Sequence, residues 1–189
     1  MSSLNQSAFL AINHLSGRNG VLDFLGVFFA EWLPYALVIG FLILIASEHG
    51  WRKKIFWFAE GALAVILSRG LVAEIIGVLY HEERPFSFYQ LTPLITETGW
   101  SFPSGHAAWF FAMAMTVWYL NKKWGGWFFL LAAVNAIARI YVGVHWPLDV
   151  VAGAVIGVVC AIVVHAILAA NREALYASGV HGSSPTIQP

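Results

Sequence analysis

The stretch WSFPSGHAA at residues 100–108 places Pro103, Ser104, Gly105 and His106 where a loop enters an apolar helix. A serine at this position can cap the first turn, and a glycine lets a ligand approach the backbone closely. The free N–H groups of the first turn carry the positive end of the helix dipole, so the stretch is typical of an anion site. His106 could supply proton chemistry there. The tetrapeptide alone fits a capped transmembrane helix with an interfacial histidine equally well.

The composition indicates that the helix following this stretch lies in a membrane. Of the 189 residues, 59% are hydrophobic and 11% are charged, and the mean hydropathy is +0.72. Soluble domains have an apolar share of about 45–50%. The formal net charge is zero, so we expect no nucleic-acid partner. The single Cys160 excludes an intramolecular disulfide and a thiolate metal cluster.

The apolar pattern predicts an all-α polytopic membrane bundle of about five transmembrane helices. A short interfacial helix and a turn are expected at residues 1–20, the membrane domain at 21–170, and a mobile cytoplasmic tail at 171–189. The first span contains about 23 residues and would extend about 34 Å, enough to cross a bilayer. The five predicted spans are residues 24–46, 55–80, 104–120, 127–142 and 147–170.

The second span contains three charged residues, Glu60, Arg69 and Glu74. Charges are costly in hydrocarbon, so this helix is expected to face protein or water at these positions. At about 100° per residue, Arg69 and Glu74 lie about 140° apart around an α-helix and are predicted to be poor partners. Arg69 is expected to pair with another helix instead, through Glu31 or Asn135, as a structural contact.

Two further patterns concern helix shape and packing. Pro34 is expected to kink the first span. Small residues at four-residue spacing predict close helix contacts at Ala108 with Ala112, Ala132 with Ala136, and Gly153 with Gly157.

Charge in the loops predicts how the bundle is oriented. The basic residues at 52–54 and 122–123 lie in two short loops, and the positive-inside rule places both loops in the cytoplasm. Five spans then put the N-terminus outside and the tail inside. The active site would face the periplasm or the cell exterior, because six polar groups fall at outer helix ends: Arg84, Ser104, His106, Arg139, His145 and Asp149.

The segment ARIYVGVHWPLD at residues 138–149 suggests an activated histidine. Pro147 suits the first turn of the last helix, and His145 and Asp149, four residues apart, can meet on one side of that turn. A carboxylate that accepts a hydrogen bond from one imidazole nitrogen fixes the tautomer and leaves the other nitrogen free to attack.

Two other interpretations of these groups remain open. His106, His145 and Asp149 could bind a metal, although Arg84 and Arg139 nearby would repel a cation. Two arginines fit a phosphate better, so no metal or cofactor is expected. Arginines at helix ends could also serve only as snorkelling anchors.

Three motifs resemble the signatures of the type 2 phosphatidic-acid phosphatase superfamily. They are RP at 84–85, PSGH at 103–106 and the Arg-His-Asp run at 139–149, which follow one another at the ends of three successive membrane segments. The resemblance implies a metal-independent phosphatase on an all-helical membrane core.

The same resemblance implies a role for each motif residue. His145 would be the nucleophile that forms a phosphohistidine, Asp149 its orienting carboxylate, and His106 the acid that protonates the leaving oxygen. The phosphoryl oxygens, where charge is stabilised in the transition state, would be held by Arg84, Arg139, Ser104 and the Gly105 backbone.

The chain departs from the family pattern at two positions. The lysine that precedes the first arginine by seven residues is Gly77 here, and the serine before the third-motif arginine is Ala138. One phosphate ligand is therefore missing or replaced, with His81 as a candidate.

Within the superfamily, the chain is most similar to the bacterial undecaprenyl-diphosphate phosphatases of the bacitracin-resistance type. INHLSGRNGVLDFLGVFFAEW at 12–32, RPF at 84–86 and RIYVGVHWPLDVVAG at 139–153 carry this similarity. That subgroup often has Asp where this chain has Gly105.

The resemblance implies removal of the terminal phosphate of undecaprenyl diphosphate at the outer face, which regenerates the carrier lipid for cell-wall synthesis. The expected partners are this lipid phosphate or diphosphate substrate and membrane lipids. A phosphatidylglycerophosphate or phosphatidic-acid phosphatase is the alternative, with headgroup preference set by residues 86–103. The intramembrane charges leave a small transporter or lipid scaffold open as another class, and the oligomeric state stays open.

Overall fold

The computed structural model describes residues 2–179, with side chains described as far as residue 170. All regular secondary structure in these residues is helical. The elements are α1 (Ser3–Asn13), α2 (Gly20–Val27), a first π-helix (Phe28–Trp32), α3 (Leu33–Ser47), α4 (Trp51–Val65), a second π-helix (Ile66–Ala73), α5 (Glu74–Leu79), α6 (Pro85–Phe88), α7 (Gly105–Leu120), α8 (Lys122–Tyr141) and α9 (Pro147–Gly179).

Four continuous helices in the described residues are long and apolar enough to cross a membrane: Gly20–Ser47, Trp51–Leu79, Lys122–Tyr141 and Pro147–Ala170. The remaining predicted span is α7, whose 16 residues extend about 24 Å, less than the roughly 30 Å of a hydrocarbon core. The predicted all-α membrane bundle is confirmed, with α7 as a shorter fifth helix. Eight residues of α7 are buried, and it contacts α3, α4, α8 and α9, so it forms the centre of the bundle.

Small residues allow α9 to pack closely against α7, as their spacing predicts. A Cβ added at Gly153 would lie 3.0 Å from Ala107 Cβ, and one added at Gly157 would lie 2.8 Å from Ala112 N. The start of α9 lies beside the start of α7, because Ser104 N donates a hydrogen bond to Asp149 O at 3.0 Å. The two helices therefore begin at the same end of the bundle.

The second span runs antiparallel to α7. Ser68 Oγ, late in this span, donates a hydrogen bond to Ala108 O in the first turn of α7. Residues 52–54 begin that span and residues 122–123 follow the end of α7, so both basic segments lie at the end of the bundle opposite Ser104.

Pro34 has a visible effect on the first span. Proline lacks an N–H and clashes with the carbonyl four residues earlier, and a π-helix precedes it here. The freed carbonyls of Phe29 and Ala30 accept hydrogen bonds from Asn135 Nδ2 on α8, at 2.7 and 3.2 Å. Asn135 thus binds the first span, and the expectation that it pairs with Arg69 is wrong.

The helix predicted within residues 1–20 packs onto the bundle. In α1, Asn5 Oδ1 accepts a hydrogen bond from Leu148 N at 3.0 Å, and the Phe9 ring lies 5.1 Å from the Trp146 ring. α1 therefore supports the start of α9. At the other terminus α9 continues to Gly179. Residues 180–189 of the predicted tail lie outside the described residues, and the predicted domain boundaries stay predictions.

Candidate active site

The first turn of α9 holds the carboxylate of the site. Asp149 is fully buried, and its Oδ2 accepts hydrogen bonds from Ser101 Oγ at 2.5 Å and from Trp146 N at 2.8 Å. Asp149 N in turn donates to Trp146 O, which gives the reciprocal pattern of a capped helix start. These hydrogen bonds therefore fix the position of the Asp149 carboxylate independently of its contact with the imidazole.

His145 lies against this carboxylate, as the four-residue spacing predicts. Its Nδ1 is 3.3 Å from Asp149 Oδ2, and the side chain is almost completely buried. Burial, followed by the positive charges of Arg139 and Arg84, holds the pKa of His145 well below its ordinary value of 6.5. The imidazole is therefore neutral at pH 7. With Nδ1–H donating to Asp149, Nε2 is the nitrogen left with a free lone pair.

Arg84 is anchored by the backbone of two loops. Its guanidinium donates hydrogen bonds to the carbonyls of Gly99, Thr98 and Val144 at 3.1, 2.9 and 2.9 Å. Burial lowers its pKa, and the nearby Glu97 carboxylate opposes that shift. Three of the five N–H groups are used in these bonds, so two remain for a ligand.

Glu97 joins the two buried arginines, a role that no motif in the sequence indicates. One carboxylate oxygen accepts a hydrogen bond from Arg139 Nη2, and the other lies 3.7 Å from Arg84 Nη2. Burial raises the pKa of Glu97, but Arg139 and Arg84 outweigh burial and bring it below the ordinary value. Glu97 is therefore an anion held between two guanidiniums.

The start of α7 forms another wall. Ser104 is its N-cap residue, and Ser104 Oγ accepts a hydrogen bond from Ala107 N at 3.5 Å. His106 is half-buried in the first turn, with its ring tilted against Phe110. Ser104, Gly105 and His106 thus lie at the helix N-terminus, where an anion is favoured.

Arg69 does not have the partner that the sequence predicts. Its Nη1 donates to Glu74 Oε2 at 2.6 Å, so the expectation that these two residues are poor partners is wrong, as is the predicted pairing with Glu31. The cause is the second π-helix. Hydrogen bonds there run from residue i to i+5, which brings residues five apart onto nearly the same face. The α-helical spacing of 100° does not apply.

Most of these groups line one cavity of about 270 Å³. Its wall includes Arg69, Gly77, Arg84, Glu97, His106 and His145. A second cavity of about 300 Å³ shares Glu97 and His106 with the first and adds Arg139, Glu31, Trp32 and Tyr35. The two cavities therefore share the polar side chains of Glu97 and His106.

The position of the family lysine, Gly77, lies on the wall of the first cavity. His81, the candidate replacement, makes an edge-to-face contact with Trp100, with ring centroids 4.5 Å apart. Arg69 contributes a cation to this wall instead.

The described residues contain no group of three His, Cys, Asp or Glu side chains arranged to hold a metal ion. The expected independence of metals stays a prediction. The site combines a neutral, oriented imidazole, a second histidine and several guanidiniums at a helix N-terminus, and this combination can transfer a phosphoryl group.

Comparison with known proteins agrees with these features. The family model described as the PAP2 superfamily matches residues 58–173. The Bacitracin transport permease protein BcrC of Bacillus licheniformis is 33% identical, over 86% of this chain and 80% of the relative. Undecaprenyl-diphosphatase BcrC of Bacillus subtilis is 31% identical, over 82% and 80%. The crystal structure of Aquifex aeolicus LpxE superposes with a TM-score of 0.71 and 30% identity, covering 86% of this chain and 95% of that one.

Proposed function

Because this chain belongs to the PAP2 superfamily, we propose that it hydrolyses undecaprenyl diphosphate to undecaprenyl phosphate and inorganic phosphate. Its family and its relatives make it a membrane phosphoric ester hydrolase. The relative named undecaprenyl-diphosphatase supports this substrate. The observation that carries the chemistry is the neutral His145 imidazole, which lines one cavity with Arg84 and His106.

The reaction proceeds in two steps. His145 Nε2 attacks the terminal phosphorus, and a P–N bond forms while the bridging P–O bond breaks. Undecaprenyl phosphate leaves, and His106, which takes up a proton when the negatively charged diphosphate binds beside it, donates that proton to the departing oxygen. Water then attacks the phosphohistidine, with His106 accepting its proton, and inorganic phosphate is released. Asp149 stabilises the imidazole in both steps by holding its Nδ1.

The buried arginines bind the oxygens of the phosphoryl group in transfer. Arg139 Nε is buried and has no hydrogen-bond acceptor among the described residues, and Arg84 keeps two N–H groups for a ligand. Glu97 bonds Arg139 and lies near Arg84, so its single negative charge offsets part of their positive charge. The incoming phosphoryl group displaces Glu97, and the N-terminal N–H groups of α7 share the charge that develops in the transition state. This step requires no metal.

The reaction takes place at the outer face of the cell membrane. The support is that residues 52–54 and 122–123 lie at the opposite end of the bundle, and short basic loops stay in the cytoplasm.

The substrate is tested by measuring phosphate release in detergent with excess chelator. We expect purified protein to act far faster on undecaprenyl diphosphate than on phosphatidylglycerophosphate or phosphatidic acid. The reverse ranking would contradict the isoprenoid substrate. Activity that disappears with chelator and returns with a divalent metal would contradict the metal-free mechanism.

A further inference from the structure

A third guanidinium, that of Arg69, lines the first cavity together with Arg84. The Arg69 side chain is 43% exposed, whereas those of Arg84 and Arg139 are 8% and 2% exposed. Arg69 extends from the second span across the start of α7, since a Cβ added at Gly105 would overlap Arg69 Nε and lie 2.7 Å from Arg69 Cζ. Arg69 is therefore a cation at the mouth of the site.

We propose that Arg69 binds the lipid-linked phosphate of a diphosphate substrate and thereby makes the enzyme selective for diphosphates over phosphate monoesters. This inference rests on the proposed hydrolysis of a lipid diphosphate.

The positions of the arginines support two separate phosphate subsites. Arg84 is held by three backbone carbonyls, and Arg139 is almost completely buried, so neither guanidinium can move far. Arg69 lies against Gly105, on the cavity wall that also contains Gly77. A diphosphate with its terminal phosphate at His145 can direct its second phosphate towards this wall.

The reaction gives Arg69 a role that depends on the substrate. When a diphosphate is cleaved, the leaving group is itself a phosphate, and negative charge develops on its oxygen. A guanidinium in contact with that group stabilises the transition state. When a monoester is cleaved, the leaving group is an alcohol and contains no second anion for Arg69.

Glu74 keeps Arg69 in place until the substrate arrives. The Glu74 side chain is 62% exposed, and an exposed ion pair contributes little free energy because water screens the charges. A multiply charged diphosphate can therefore displace this carboxylate. The pair exists because of the second π-helix, so that local distortion of the span positions the cation for the substrate.

The test compares farnesyl diphosphate with farnesyl monophosphate, which share one lipid tail. We expect Arg69→Gln to lower kcat/KM for the diphosphate by about 10- to 100-fold and for the monophosphate by less than about threefold. Arg69→Lys retains the charge without the planar fork and should lose less, again on the diphosphate alone. The matched control is Arg52→Gln, an exposed arginine at the opposite end of the bundle, which should change neither value.

Inhibition provides a second measurement. It can be made even when the parent protein cleaves the diphosphate and does not cleave the monophosphate. Arg69→Gln should weaken inhibition by methylenediphosphonate about tenfold and by inorganic phosphate less than about threefold. Unchanged diphosphate kinetics, or equal losses on both substrates and both inhibitors, would overturn the role of Arg69. A parent protein inactive on undecaprenyl diphosphate would instead overturn the proposed function, and this outcome is visible before any variant is made.

Discussion

Two histidine–carboxylate pairs lie at opposite ends of the bundle, and their surroundings differ. At the end that holds the candidate site, His145 Nδ1 is 3.3 Å from Asp149, and at the opposite end His165 Nδ1 is 3.0 Å from Glu60. Both carboxylate side chains are fully buried. The contact between imidazole and carboxylate is therefore common to both, and it does not by itself define an active site.

The neighbours of each pair explain the difference. The His145–Asp149 pair has two buried arginines, a serine hydroxyl on the carboxylate and a cavity. The His165 imidazole stacks on Tyr119 at 3.6 Å and on Trp57 at 6.4 Å, measured between ring centroids. The His165–Glu60 pair connects α4 to α9 and packs them together. The cations and the cavity distinguish the His145–Asp149 pair and support its proposed role in catalysis.

The largest expected effect separates the two histidines. His145→Ala removes the nucleophile and should lower kcat by about 10⁴-fold or more, while His165→Ala should change it by less than about threefold. Phosphate release from undecaprenyl diphosphate measures both. Phosphate release at the parent rate in His145→Ala would contradict the role of His145 as nucleophile.

The two carboxylates provide the next test. Asp149→Asn cannot hold the imidazole in the same tautomer and should lower kcat by about 100-fold or more. Glu60→Gln should leave kcat within about threefold and lower the melting temperature, because it weakens a buried contact between two spans. Similar kcat losses in both variants would contradict the distinction between the pairs.

Ser101 provides a further test of the comparison, since its hydroxyl donates a hydrogen bond to the Asp149 carboxylate. We expect Ser101→Ala to lower kcat by about tenfold, because Asp149 loses one of the hydrogen bonds that fix it. Thr116→Val is the matched control, as the buried Thr116 hydroxyl bonds only the helix carbonyl of Ala112. An equal kcat loss in the control would assign the Ser101 effect to packing.

The smallest effect is a shift in pH dependence. His145 attacks only when neutral, and its lowered pKa keeps it neutral below pH 6.5, so kcat/KM should fall only at more acidic pH. The Glu97 charge raises the pKa of His145, so Glu97→Gln should move this acid limb to still lower pH. The substrate ionises identically in both assays, so the difference between parent and variant reports the enzyme. A shift towards higher pH would contradict this electrostatic account.

The sequence predicts the fold well because bilayer thickness determines the length of an apolar helix. The bounds of α7 also agree with the predicted span at residues 104–120, although this helix is shorter than a full span. Eight of its residues are buried. Its burial among the other helices, rather than its contact with lipid, determines where it lies.

The candidate site is predictable only in part. Arg84, His106 and His145 follow from motifs at helix ends. Glu97 and Ser101 lie in an irregular segment without hydrophobic periodicity, so their positions depend on tertiary contacts.

The predicted partner of Arg69 is wrong for a different reason. The second π-helix changes the angular register of its span, and no residue there signals the change as Pro34 does in the first span. Assumptions based on α-helical geometry fail at such positions.

The central claim is that His145 carries the phosphoryl group. The direct measurement uses undecaprenyl diphosphate labelled with ³²P in its terminal phosphate, an alkaline quench within the first turnover, and peptide mapping. We expect acid-labile, alkali-stable label on the peptide that contains His145 in the parent and in His165→Ala, and none in His145→Ala. Label on a different residue, or turnover of His145→Ala at the parent rate, would contradict the account.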